Sequence, residues 1–223
     1  MVYQPNTIYH IYNQGNNRQR VFFNEGNYDY FKDKMKKYLF PLGDIIAYCL
    51  MPNHFHILFK TNDLSCQRSS ASKAITKIEL ERMALEAVSH HGEQSEMAIE
   101  VQNLPTRQSN MSHAIGTMLS SYSKGVNAEQ GRTGSLFRSK TKAKDGTKEM
   151  SISVLGSKQQ FFASIENYWF TCFHYIHKNP VEAGLVRKSM DWPHSSAWEY
   201  EHRAHSEFVS FGIAENLGLV ISE

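Results

Sequence analysis

The chain is poor in cysteine, nearly even in charge and without a long apolar run. Only Cys49, Cys66 and Cys172 occur in 223 residues. An odd number at unpaired spacing argues against a disulfide framework and a zinc ribbon, and it fits a reducing compartment. No stretch approaches the roughly 18 apolar residues of a membrane span. The first residues, MVYQPNTIYHIYNQGNN, have no basic segment leading into an apolar one, so they do not read as a signal peptide. The expectation is a soluble, cytoplasmic protein. Lys plus Arg is 24 and Asp plus Glu is 22, a net charge of +2. So even a balance argues neither for nor against nucleic acid.

Apolar residues make up 41% of the chain, enough for a real core. The length predicts one domain over 1–223, with an insertion at 61–110, where the sequence turns polar and rich in Ser, Gln and Glu. A helix is expected inside that insertion, within 71–90.

Residues 7–13 are β-branched and aromatic and predict a first strand, followed by an Asn/Gly turn. Tyr28, Phe31, Met35, Tyr38 and Leu39 fall on one helical face. Ile45–Met51 and His54–Phe59 read as two apolar strands around Pro52-Asn53, although Pro-Asn is not a favoured hairpin pair. Ile115, Met118, Leu119, Tyr122 and Val126 share the face of a second helix. A basic strand over 135–144, a loop over 145–157 and an aromatic helix over 161–178 follow, the helix stopping at Asn179-Pro180. Strand, helix, strand, strand, helix, strand is the βαββαβ order. It predicts an α+β, ferredoxin-like antiparallel sheet with helices on one side, plus the helical and loop insertion.

Residues two apart on a strand share a face. His54 and His56 therefore project together from an apolar hairpin, where two polar rings need a reason to be. Two adjacent imidazoles grip a divalent ion if a third ligand joins them; the alternative is a pair on a wet strand face. Tyr122 at its spacing is either a core residue or a nucleophile. A phenol with a pKa near ~10 needs a metal or base beside it to attack. Arg132, Arg138, Lys140, Lys142 and Lys144 form a basic run suited to a phosphate backbone, or to protecting an edge strand. Asn13, Asn16 and Arg18, in the turn after the first strand, offer amide and guanidinium groups to bases or phosphates, or simply build the turn. His174 and His177, one helical turn apart, could ligate metal, but are read as residues that cap or pack near the helix end beside Asn179-Pro180.

At this point the residues resemble a known family. Met51-Pro52-Asn53-His54-Phe55-His56-Ile57-Leu58 is similar to the HUH motif (U an apolar residue) of the single-tyrosine transposases, closest to the REP-associated group. Four further segments resemble that group in the same order. They are Tyr9–Asn16, Ser121–Asn127 with Gly131–Phe137, Tyr175–Val186, and Asp191–Ser196. The resemblance implies a transposase-type HUH endonuclease that cleaves and rejoins single-stranded or hairpin DNA through a 5′-phosphotyrosine link. It implies Tyr122 as nucleophile, Mg²⁺ or Mn²⁺ as cofactor, and metal ligands at His54, His56 and a polar residue after the tyrosine. Val126 cannot ligate, so Asn127 is the nearest candidate, with Gln130 behind it. Two alternatives stay open. One is a domesticated protein that binds structured DNA without cutting it; the other is a metal-dependent phosphodiesterase with no covalent step. A monomer and a homodimer with exchanged tyrosine helices are both compatible with the sequence.

Overall fold

The computed structural model describes residues 3–66, 110–145, 150–153, 160–163, 165–202 and 206–219. The expected insertion lies almost wholly outside the described residues, and the helix expected within 71–90 lies wholly outside them.

The elements follow the predicted order: β1 (Ile8–Gln14), α1 (Glu25–Leu39), β2 (Gly43–Met51), β3 (His54–Thr61), α2 (Asn110–Glu129) and β4 (Lys142–Asp145). The sheet order is β2-β3-β1-β4, with every neighbour antiparallel. This is the ferredoxin-like arrangement.

Alternation along β3 sorts the side chains. Phe55, Ile57 and Phe59 point to one face, and His54, His56 and Leu58 to the other. The first face is the main core. Tyr28, Phe31, Met35, Tyr38 and Leu39 of α1 are buried, as are Ile115, Met118, Leu119, Tyr122 and Val126 of α2. Both helical stripes are the ones that the 3.6-residue spacing picks out. Gly125 lets the two helices meet, because a Cβ there would lie 2.8 Å from the Tyr30 ring. Asn24 starts α1 by accepting from the Asn27 amide.

The β2–β3 connection is a two-residue hairpin, Met51 pairing with His54. Neither Pro52 nor Asn53 has a positive φ, so the turn is not one of the primed types favoured in hairpins. Tertiary bonds hold it instead. The Pro52 carbonyl accepts from the Val21 and Phe22 amides, and the Asn53 carbonyl from Gly15.

Four expectations are corrected. The two crossover helices share one side of the sheet, but a third helix, numbered α3 here (Ile165–Glu182), packs against the opposite face, over His54 and His56. That helix does not stop at Asn179; Pro180 lies inside its last turn. The basic strand is shorter than 135–144, with regular pairing only over Lys142–Asp145. Part of the expected loop over 145–157 is strand: β5 (Met150–Ser153) pairs with β6 (Gln160–Ala163).

The Asp191–Ser196 segment closes the β2 edge, which would otherwise offer unpaired amides. Leu50 N donates to His194 O, Ser196 N to Tyr48 O, and the Trp192 indole to Leu50 O. His194 stacks on Tyr28 with ring centroids 3.5 Å apart. Two short helices, α4 (Ala197–Glu201) and α5 (Phe211–Asn216), complete the described chain. Among the described residues no helix is long and apolar enough to cross a membrane.

Candidate metal centre and nucleic-acid face

His54 and His56 share a face, as the strand period requires, with ring centroids 5.1 Å apart. His56 is 1% exposed and His54 half-buried. Each ring has its Nδ1 engaged. His54 Nδ1 lies 2.6 Å from Asn53 Oδ1, and His56 Nδ1 lies 2.8 Å from His10 Nε2 on β1. At His54 the amide oxygen takes the Nδ1 proton and leaves Nε2 for an ion, the pattern of outer partners around a ligating imidazole, while in the His10–His56 pair either ring can donate. The Nε2 of His56 is buried and has no hydrogen-bond partner. Burial pushes the pKa of His54 down, and that of His56 well down, with His10 and His54 adding to the effect on His56. Burial thus favours the neutral form of both rings, the form that binds metal. His10 is lowered to about 3 by burial and by Lys144. The donor set therefore fits a divalent ion. Among the described residues, however, no three His, Cys, Asp or Glu side chains group as a metal site. Any third protein ligand among them is of another type.

Two predicted partners are not brought to the pair. Tyr122 lies on the other side of the sheet, fully buried against Phe22, Tyr30, Phe31 and Phe137. Its hydroxyl donates to the Val21 carbonyl at 2.7 Å, and burial raises its pKa far above the usual phenol value. Asn127 belongs to the same helix, and its amide donates to Gly134 O at 2.8 Å.

The residues that do face the histidines come from β1 and α3. Tyr12 pairs with His56 across the ladder, its ring 5.6 Å away and half-exposed. Gln14 stands opposite His54, and its Oε1 is another buried atom without a partner. Tyr175 sets its ring 5.4 Å from His56, and Asn179 places Oδ1 3.5 Å from His54 Nε2. Sequence reasoning missed these residues as site members because α3 was not expected on this face. The signal was present in the polar Tyr-x-x-x-Asn spacing, one helical turn.

The basic run divides. Lys142 and Lys144 pair with Tyr12 and His10 and so share the histidine face, on an edge strand. Arg138, Lys140 and Lys142 are exposed. Lys144 is partly buried, which lowers its pKa. Arg132 is structural: it donates to Gln19 Oε1 at 2.7 Å and lies over the Phe23 ring. In the turn after β1, Asn13 is buried, with its amide given to Arg138 O and Thr141 Oγ1. Asn16 gives its amide to Ser135 O. Arg18 has an exposed side chain and, with Asn17, a positive φ. His177 packs rather than ligates, its Nε2 lying 2.8 Å from Ser196 Oγ. His174 lies against Phe170 and Phe173.

No family model matches the chain, and no curated protein matches it. Among solved structures, it is similar to a REP-associated tyrosine transposase bound to a REP hairpin, with 14% identity, a TM-score of 0.47 and coverage of 95% of this chain and 92% of that one.

Proposed function

We propose that this chain binds single-stranded or hairpin DNA and acts on it as a metal-dependent nuclease and strand transferase of HUH type, with Mg²⁺ or Mn²⁺ on His54 and His56. The observation that carries this reading is the buried, partnerless Nε2 of His56 beside a second imidazole whose Nδ1 is likewise engaged. A buried polar atom without a partner is costly, and an ion would satisfy it. The chemistry such an ion supplies is polarisation of a phosphate oxygen. Lys142 and the exposed Arg138 and Lys140 are suited to the DNA backbone beside it.

Tyr122 as the attacking group, forming a 5′-phosphotyrosine link, is at odds with its place across the sheet and its bond to Val21. That burial favours a second reading, in which the chain binds structured DNA without cleaving it. Labelled hairpin DNA, incubated with the protein and Mn²⁺ and run on a denaturing gel, separates the two. A covalent adduct that needs His56 supports the nuclease, and Tyr122→Phe and Tyr12→Phe then identify the attacking oxygen. DNA binding with neither adduct nor cleavage across a broad hairpin panel overturns it in favour of binding alone.

A further inference from the structure

We propose that Tyr12 and Lys142 form a subsite for one unpaired nucleotide beside the histidine pair, the base stacked on the Tyr12 ring and a phosphate next to it held by Lys142; this rests on the DNA reading given above.

Three side chains stand in a row across the sheet. Tyr12 of β1 lies opposite His56 of β3 on one side and opposite Lys142 of β4 on the other. Residues paired in this way point to one face, so the row runs His56, Tyr12, Lys142. Neighbouring strands lie about 4.8 Å apart, which puts the Lys142 backbone about 10 Å from that of His56. The phenol ring stands between them. A DNA strand laid along the row has one phosphate at the histidines, a base over Tyr12 and the next phosphate within reach of the flexible lysine stem.

The row is open where a strand would need it to be. Among the described residues α3 packs chiefly on β2 and β3, over His54 and His56. On the β1–β4 half of the same face Tyr12 is half-exposed and Lys142 exposed, and β4 is an edge strand. The Tyr12 ring is also held in place. It lies against the rings of His10 and His56, 4.9 and 5.6 Å away and tilted from them by 33° and 29°. A ring fixed before its ligand arrives loses little freedom on binding.

An aromatic face beside a cation is how proteins hold single strands: the base stacks whatever its identity, and the cation takes the phosphate. A base inside a duplex has both faces covered by its neighbours and cannot stack on Tyr12. The subsite therefore selects the unpaired flank of a hairpin over its stem.

The test uses the full chain and a panel of hairpin DNAs with an unpaired flank, 2-aminopurine standing at one flank position at a time, in EDTA so that no strand is cut. Binding should quench the fluorescence at one position. Tyr12→Ala should abolish that quench and weaken binding about 5–150-fold, the range for one base on an aromatic side chain. Tyr12→Phe keeps the ring and should retain both. An abasic residue at the quenched position should weaken the unaltered chain as much, and should leave Tyr12→Ala no weaker than before; that match also guards against a folding defect in the alanine variant. Lys142→Ala should lower the slope of log affinity against log salt by about 0.7. With the flank paired to a complementary strand, the difference between Tyr12→Ala and the unaltered chain should vanish. If DNA binds and no position is quenched, or if the alanine and abasic losses add, the subsite is overturned and the DNA reading stands. A loss in Tyr12→Phe equal to that in Tyr12→Ala also overturns it, because the ring is then not the contact. If the unaltered chain binds no hairpin of the panel, the DNA reading falls and the subsite with it.

Discussion

The rings of His10 and His56, both buried, are joined Nε2 to Nδ1 at 2.8 Å between β1, β3 and α3. The bond holds the His56 ring by its Nδ1, and the Nε2 of the same ring is buried without a hydrogen-bond partner. Removing His10 should therefore loosen the metal without removing a ligand. His10→Ala is expected to weaken Co²⁺ binding by about 10–100-fold, the range for lost outer partners of a metal ligand. Unchanged affinity in a Co²⁺ titration would mean that His10 only fills space.

Tyr122 behaves in this fold as a core residue. Tyr122→Phe keeps the ring stacked among Phe22, Tyr30 and Phe31 but strips the Val21 carbonyl of its donor. A buried acceptor left unmet costs about 1–3 kcal/mol. Urea denaturation should show that loss, with the slope of the transition unchanged. A variant as stable as the parent, with DNA cleavage abolished, would instead give the hydroxyl a chemical role and require the helix to leave this position.

The fold was largely legible because its signals are periodic. The apolar stripes of α1 and α2 and the alternation in β3 each follow from side-chain geometry, and Tyr28, Phe31, Ile115 and Met118 are buried as their spacing requires. The His54–His56 pair was legible for the same reason. What was not legible depends on tertiary placement. No periodic signal tells which face of the sheet a third helix covers, so Asn179 and Tyr175 stayed outside the predicted site. Nor does local sequence tell which side of the sheet a helical tyrosine faces; Tyr122 lies among Phe22, Tyr30 and Phe31, with its hydroxyl on the Val21 carbonyl. Asn13 reads as a recognition residue in sequence and is a structural one in space, because its amide closes the gap to Arg138 and Thr141.

Acid should destabilise the protein through its buried histidines. Burial lowers His10 and His177 to about 3, against an ordinary value near 6.5. The folded state holds these rings neutral, while the unfolded chain takes up protons as pH falls below ~6.5. The unfolded state then binds more protons, so stability falls with pH. It is full above about pH 6.5 and is lost progressively down to about pH 3, with a slope of roughly 1.4 kcal/mol per pH unit for each histidine. Denaturant midpoints measured between pH 7.5 and 4.5 should show the decline. Replacing His177 by Gln, which still offers Ser196 a partner, should flatten it. A profile flat through pH 5 would show that these rings are hydrated in the folded state.

The cationic residues divide into two sets by what their side chains already touch, and this decides how each affects DNA binding. Arg132 is engaged by Gln19 at 2.7 Å and by the Phe23 ring, so its charge serves the loop after β1. Arg138, Lys140 and Lys142 are exposed along and before an edge strand, where they can meet phosphates. Each phosphate contact on a single strand contributes about 0.7 to the slope of log affinity against log salt. Replacing all three by Ala should therefore reduce that slope by about 2 and weaken binding across sequences alike. Arg132→Ala should leave the slope unchanged and lower stability by about 1 kcal/mol instead. Affinity measured by fluorescence anisotropy from 50 to 300 mM salt distinguishes the two sets, where the salt range is about that over which such contacts are read. A slope that changes with Arg132 and not with the exposed three would place the DNA at the turn after β1 rather than along β4.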